Sequence, residues 1–190
     1  MRSIFLATVI LSLSFFALGK AITNTQTWFF WRTGMAKINF AEYFVNNNDQ
    51  RVLGEYAETP TNKRIEIDLT SQKLYAYEGA ELKYDLNVST GLPWFATPTG
   101  EARAWLKARY VHMRGPDYDL PGVPHVIFIY GEKMDKWKGY AIHGAYWHLR
   151  FGHPISHGCI NVTLKDMEQL YGWFDSLAIP INIYGTTPTF

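Results

Sequence analysis

Arg64-Ile65-Glu66-Ile67-Asp68-Leu69-Thr70-Ser71-Gln72-Lys73-Leu74-Tyr75-Ala76-Tyr77-Glu78-Gly79-Ala80-Glu81-Leu82-Lys83-Tyr84-Asp85-Leu86-Asn87-Val88 is the stretch on which the fold turns. Ile65, Ile67 and Leu69 alternate with Glu66 and Asp68; Leu82, Tyr84, Leu86 and Val88 alternate with Lys83, Asp85 and Asn87. Successive side chains of a strand point to opposite faces, so this period of two gathers the apolar groups on one face of a half-buried sheet. Residues 74–77 and 82–88 flank the short turn Glu78-Gly79-Ala80, which reads as a hairpin.

Outward from there, extended runs recur at residues 105–113, 126–130, 140–143 and 179–184, with Gly- and Pro-containing segments between them. One segment departs from this period. Thr163-Leu164-Lys165-Asp166 resembles a helix-capping sequence, and Leu164, Met167, Leu170, Tyr171 and Phe174 then follow at helical spacing until Pro180. The expected fold is therefore mainly β with one helix after Cys159, a β-sandwich or barrel-like sheet.

The chain has 190 residues, enough for one domain with a real core. Its 18 Lys and Arg nearly balance 17 Asp and Glu, so it lacks the basic face that nucleic acid would need. Residues 1–21 read as an export signal: Arg2 supplies a positive charge, residues 4–18 carry none, and small residues follow at Gly19 and Ala21. Left uncleaved, residues 4–18 would tie the chain to a membrane, with Trp28, Phe29, Phe30 and Trp31 at its interface. Residues 22–63 form a lead-in, with weak helical spacing over residues 36–45. The catalytic unit is expected over residues 64–185, leaving 186–190 as a tail. An exported, extracytoplasmic location follows from this organisation.

Cys159 is the only cysteine, so no disulfide forms within the chain. An isolated cysteine is ordinarily a small buried hydrophobe. Here it closes a segment, Ile142 to Val162, that holds four of the six histidines: His143, His148, His153 and His157. A thiol is mostly protonated at neutral pH and needs a neighbouring base, and His157 and His143 are both near in sequence. Gly158 allows a tight turn, and the N–H groups around His157, Gly158 and Cys159 could face an oxyanion. That is the chemistry of acyl transfer or hydrolysis. The His and Cys spacing matches none of the usual zinc pairs, and neither metal nor cofactor is expected. His148 and His153 read as solvated loop residues.

His143-Gly144, followed by Ser156-His157-Gly158-Cys159-Ile160-Asn161, resembles the signature of L,D-transpeptidase (YkuD-type) catalytic domains. Ser71-Gln72-Lys73-Leu74, Val88-Ser89-Thr90-Gly91 and Thr97-Pro98-Thr99-Gly100 fit the same family, in its order. The resemblance implies a peptidoglycan enzyme. Cys159 would attack the carbonyl of the third residue of a stem tetrapeptide and release the terminal D-Ala, leaving a thioester. An amine from a neighbouring stem would then resolve it as a 3→3 cross-link.

By the same resemblance His143 is the base, oriented by the Gly144 carbonyl, and His157 supports the site. Ser156, Asn161, Tyr146 and Trp147 are the candidate substrate contacts. Asn161 stands where many members carry Arg, a difference that bears on acceptor or substrate preference. Water, a free D-amino acid or a protein lysine could take the acyl group from the same thioester. A silent wall-binding module is the non-enzymatic alternative.

Overall fold

The computed structural model describes residues 37–38 and 61–189; the export stretch, the Trp28–Trp31 aromatic cluster and most of the lead-in lie outside them. Strands β2 (Lys63–Asp68), β3 (Lys73–Glu78) and β4 (Glu81–Ser89) form an antiparallel meander. The expected hairpin is β3–β4, with Glu78 opposite Glu81. The remaining strands are β5 (Gly100–Arg114), β6 (Asp119–Gly131), β7 (Ala141–Gly144), β8 (Ile160–Val162) and β9 (Pro180–Tyr184). The single α-helix among the described residues, α1 (Leu164–Trp173), follows β8.

The strands close on themselves. From β5 the order runs through β6, β7, β8, β4, β3 and β2 to β9, and β9 pairs back with β5, so eight strands make a barrel-like wall. Closure satisfies backbone groups that an open sheet would leave at its edges. A two-residue strand, β1 (Lys37–Ile38), lies outside this ring against Arg114 and Met113 of β5. It falls in the stretch whose spacing weakly suggested a helix, and sheet pairing wins there. β8 was not legible as a strand. At three residues it is too short to show a period, and it pairs parallel with β7 and antiparallel with β4.

Alternation sorts the side chains into two clusters. The larger takes Ile65, Ile67, Leu74, Leu86, Val88, Ile127, Ile129, Ile142, Ile160 and Ile181, closed by Met167 and Leu170 of α1 and by Phe174 at its C-cap. The smaller holds Val126, Phe128 and Ala141 with Val111, Val123, Leu106 and Ala108, and Trp105, Tyr118, Trp147 and Cys159 pack on it. On β5, Ala102 and Ala104 face the first cluster while Leu106 and Ala108 face the second, although their spacing never changes. A register shift between Ala104 and Leu106 explains the switch, since one extra residue in a strand reverses the face that follows.

Thr163 caps α1 as expected, its hydroxyl accepting from Asp166 N at 3.1 Å and donating to Asp166 Oδ2 at 2.7 Å. Met167, Leu170 and Phe174 are fully buried, whereas Leu164 stays 45% exposed, so the apolar face starts one turn later than the spacing suggested. At the other end Lys107 Nζ donates to the carbonyls of Tyr171 (2.7 Å) and Phe174 (2.5 Å), and Lys63 Nζ to that of Trp173 (3.0 Å). Cations suit this terminus, where the carbonyls carry the helix's negative pole. Burial pushes Lys107 down to about 8.

Candidate active site

The site lies on the outer face of the β7–β8 pair. Ile142 is opposite Ile160 and His143 is opposite Asn161. Because strand side chains alternate, Ala141, His143, Cys159 and Asn161 all leave the wall on the side away from Ile142 and Ile160. Cys159 thus packs on the smaller cluster with Ala141. Its sulfur faces the Gly139 carbonyl at 3.6 Å.

Both titratable groups are held neutral. Burial pushes the Cys159 thiol up to about 11, outweighing the Ala141 N–H that favours the thiolate. Burial also lowers His143 to about 4, against the opposing pull of the Gly144 carbonyl. His143 Nδ1 lies 3.2 Å from that carbonyl. A carbonyl oxygen only accepts, so Nδ1 carries the proton and Nε2 keeps the lone pair. The Trp147 ring covers the imidazole at 5.7 Å.

The loop before Cys159 is fixed by buried side chains that bond to its backbone. Gln72, in the β2–β3 turn, donates to Leu69 O and Thr90 Oγ1 and accepts from Thr90 N, at 2.7, 2.6 and 2.8 Å. The Thr90 carbonyl, so placed, accepts from Ile155 N and Ser156 N at 2.9 and 3.0 Å. Thr97 accepts from Gly91 N (3.0 Å) and donates to Gly158 O (2.9 Å). Gly91 admits no side chain, because a Cβ would meet Phe95 O at 2.1 Å. The three upstream motifs therefore act as a cradle for residues 152–158, a role that spacing alone does not reveal.

Ser156 belongs to this cradle. Its hydroxyl accepts from Gly158 N at 3.0 Å and donates its one proton to Cys159 O at 2.6 Å. The same bond corrects the expectation for Gly158, whose N–H is already taken and so is not open to an oxyanion. Gly158 does serve the tight turn: φ is +114° and a Cβ would meet the Tyr140 ring at 2.9 Å.

Asn161 is buried, with its side-chain amide 3.0 Å from His148 Nε2. His148 is half-buried, not solvated as expected, and its ring stacks on Phe151 at 4.7 Å. His148 Nδ1 accepts from Arg150 N at 3.2 Å, and its Nε2 lies 3.0 Å from Asn161 Nδ2. His153 is exposed. Tyr146 is exposed and donates to Pro121 O at 2.7 Å, beside Trp147.

His157 joins three segments. Its Nε2 meets Asp117 Oδ2 at 3.0 Å, and its ring lies between Phe95 (4.7 Å) and Tyr118 (5.2 Å). Asp117 and Tyr118 form the tip of the β5–β6 hairpin, which is thereby folded over the cysteine loop. Sequence reading missed both. The Gly115-Pro116 pair marks a turn there, but nothing local says what the turn touches. Among the described residues no group of three or more His, Cys, Asp or Glu side chains is placed to hold a metal.

The L,D-transpeptidase catalytic domain (YkuD) family model matches residues 62–187. No curated protein sequence matches the chain. Among solved structures, an L,D-transpeptidase from Mycobacterium smegmatis is 25% identical with a TM-score of 0.58, covering 65% of this chain and 58% of that one. A mutant L,D-transpeptidase from Enterococcus faecium, cysteine replaced by serine, is 25% identical with a TM-score of 0.57, covering 65% and 50%. L,D-transpeptidase 3 from Mycobacterium tuberculosis, in complex with a faropenem-derived adduct, shares the fold at 21% identity and TM-score 0.57, covering 64% and 60%. The chain thus spans 58% and 50% of the length of the first two. The family match covers the whole wall, the cradle and the His143–Cys159 segment together, and the chain belongs to the L,D-transpeptidase catalytic domain family.

Proposed function

We propose that the protein is a peptidoglycan L,D-transpeptidase that forms 3→3 cross-links through a thioester on Cys159, with His143 as base. The supporting observation is the neutral pair on one face of β7–β8, a partly buried thiol and a buried imidazole whose Nε2 is unprotonated. Such a pair does not store a thiolate at rest. The thiol proton passes to His143 Nε2 as sulfur attacks the stem carbonyl, so charge appears only while the S–C bond forms. Collapse breaks the C–N bond, and the imidazolium returns the proton to the departing D-Ala amine. In the second half, His143 takes a proton from the incoming stem amine. The amide forms, and sulfur leaves and is reprotonated.

The cradle supports this reading by fixing Cys159 from behind, through Ser156 on its carbonyl and Thr97 on that of Gly158. Placement of this kind supplies much of the rate in acyl transfer. The substrate polymer lies outside the cytoplasmic membrane, in keeping with the export stretch at residues 1–21.

Intact-protein mass after exposure to a carbapenem, together with D-Ala release and dimer formation from a purified disaccharide tetrapeptide, tests the proposal. A single adduct, D-Ala release and third-to-third dimers are expected, all lost in Cys159→Ala with the fold intact. Turnover retained by Cys159→Ala overturns the nucleophile. D-Ala release without dimers overturns the cross-linking assignment and leaves an acyl-enzyme that transfers to water.

A further inference from the structure

The end of the β5–β6 hairpin reaches the cysteine loop through one carboxylate, and the turn that carries it is braced from within. Gly115 N donates to Tyr118 O at 2.9 Å, and the Tyr118 ring lies so close over Gly115 that an added Cβ would meet it at 2.2 Å. Next to the turn, Asp119 pairs with His112 and, at 3.3 Å, with Arg114. Tyr118 packs on the smaller cluster, as Cys159 does. Asp117 is therefore presented by an anchored backbone, and its Oδ2 meets His157 Nε2 at 3.0 Å.

Stability does not account for this pair. The Asp117 side chain is 63% exposed and that of His157 25%, and an ion pair so open to water contributes little. What the pair does fix is one ring. Phe95 and Tyr118 hold the imidazole by its faces, at 4.7 and 5.2 Å, but such contacts do not select which edge points where. The bond to Asp117 does. An ionised carboxylate only accepts, so Nε2 carries a proton, and in the neutral ring Nδ1 keeps the lone pair. The rest of the loop is held through its backbone. Ile155 N, both backbone groups of Ser156, both of Gly158 and the Cys159 carbonyl are bonded to the cradle or to Leu92. His157 is tethered through its side chain instead, and Asp117 is the hydrogen-bonding end of that tether.

We infer that Asp117 is a positioning residue for acyl transfer: from the hairpin end it fixes the orientation and tautomer of His157 and completes the hold on the loop that carries Cys159. It acts through His157 and not on the reacting atoms. The inference rests on the acyl-transfer reading and deepens it.

The test measures carbapenem acylation over a range of concentrations, beside a thermal melt, in wild type, Asp117→Asn, Asp117→Ala, His157→Phe and the double variant Asp117→Ala/His157→Phe. Asparagine offers a donor as well as an acceptor, so it no longer selects a tautomer. Phenylalanine keeps a ring between Phe95 and Tyr118 but gives Asp117 no donor. In both Asp117 variants the limiting acylation rate is expected to fall about tenfold at a nearly unchanged half-saturating concentration, while the melting temperature moves by less than about 4 °C. Adding Asp117→Ala to His157→Phe should lower the rate no further, because the carboxylate acts through that ring. Nitrogen NMR of the neutral His157 ring should find the proton on Nε2 in wild type and both tautomers in Asp117→Asn. Unchanged rates in the two Asp117 variants, a further loss of that size on the His157→Phe background, or a wild-type ring protonated on Nδ1 overturns the positioning role. A wild type that forms no carbapenem adduct overturns the acyl-transfer reading beneath it, and the positioning role with it.

Discussion

Ile142 and His143 are neighbours on β7, yet they answer to different physics. Ile142 enters a cluster of aliphatic side chains, held by burial and shape alone. His143 leaves the other face, where the cradle of Gln72, Thr90, Thr97 and Ser156 is held by hydrogen bonds from side chains to loop backbone. The inner face needs only apolar groups of about the right volume. The outer face needs particular donors and acceptors, because a buried polar group left unpaired costs more than the bond itself contributes. Stability is thus concentrated in the inner face and geometry in the outer one, and substitutions should separate the two.

The largest effect on stability is expected inside. Leu74 is fully buried at the centre of β3, and Leu74→Ala should cost about 2–5 kcal/mol in a denaturant titration. Carbapenem acylation per folded molecule should be nearly unchanged. A fall in that rate comparable with a change in the cradle would show that the two faces are coupled.

The next effect distinguishes the faces by pH. His143 is held near 4, below the value near 6.5 that it has in an unfolded chain. Between those values the unfolded chain binds the proton and the native protein does not, so stability is complete above about 6.5 and falls as pH drops towards 4. The full shift corresponds to about 3 kcal/mol. Titrating stability against pH in wild type and His143→Gln should give curves that converge in slope above 6.5 and diverge below. Identical slopes across that window would mean that the imidazole is not buried neutral.

Ser156→Ala comes third. It strands Gly158 N–H and the Cys159 carbonyl, a cost of about 1–3 kcal/mol. The acylation rate should suffer far more than a change of that size inside, because a displacement of about 1 Å at the reacting atom can cost on the order of a hundredfold. Stopped-flow acylation beside a thermal melt measures both. A normal rate would show that the cradle holds the loop without Ser156.

What was legible in the sequence follows the same division. Alternation exposed the inner face of β2 through β4, and the helical spacing of Met167, Leu170 and Phe174 placed α1. Cys159 and His143 could be singled out because few residue types do nucleophile and base chemistry. The cradle could not be read. Gln72, Thr90 and Thr97 are ordinary polar residues, and the bonds that tie them to one another and to the cysteine loop span 18 positions or more. Short motifs marked their places without saying what they hold. Ser156, Gly158 and Asn161 were assigned to substrate or oxyanion because they flank the cysteine, and only their bonding partners reveal that they are already engaged. The β5 bulge is invisible for a related reason, since an unchanged alternation hides a reversal of face.

The smallest expected effect concerns the wall's outer edge. β1 adds only the pairs Lys37–Arg114 and Ile38–Met113 beyond the closed ring. Each backbone hydrogen bond contributes about 0.5–1.5 kcal/mol net. Ordering each residue costs about 1–2 kcal/mol. The two nearly cancel, so a chain beginning at Glu58 should fold cooperatively, acylate with a carbapenem, and melt within about 4 °C of one beginning at Ile22. The exposed stretch of β5 would then end at Arg114, and a charged residue at an unpaired edge discourages pairing between molecules. A much lower melting temperature, or aggregation of the shorter chain, would show that Trp28, Phe29, Phe30 and Trp31 cover apolar surface on the sheet. The two faces of the wall would then be joined by a third layer contributed by residues 22–57, and the catalytic unit would start before Arg64.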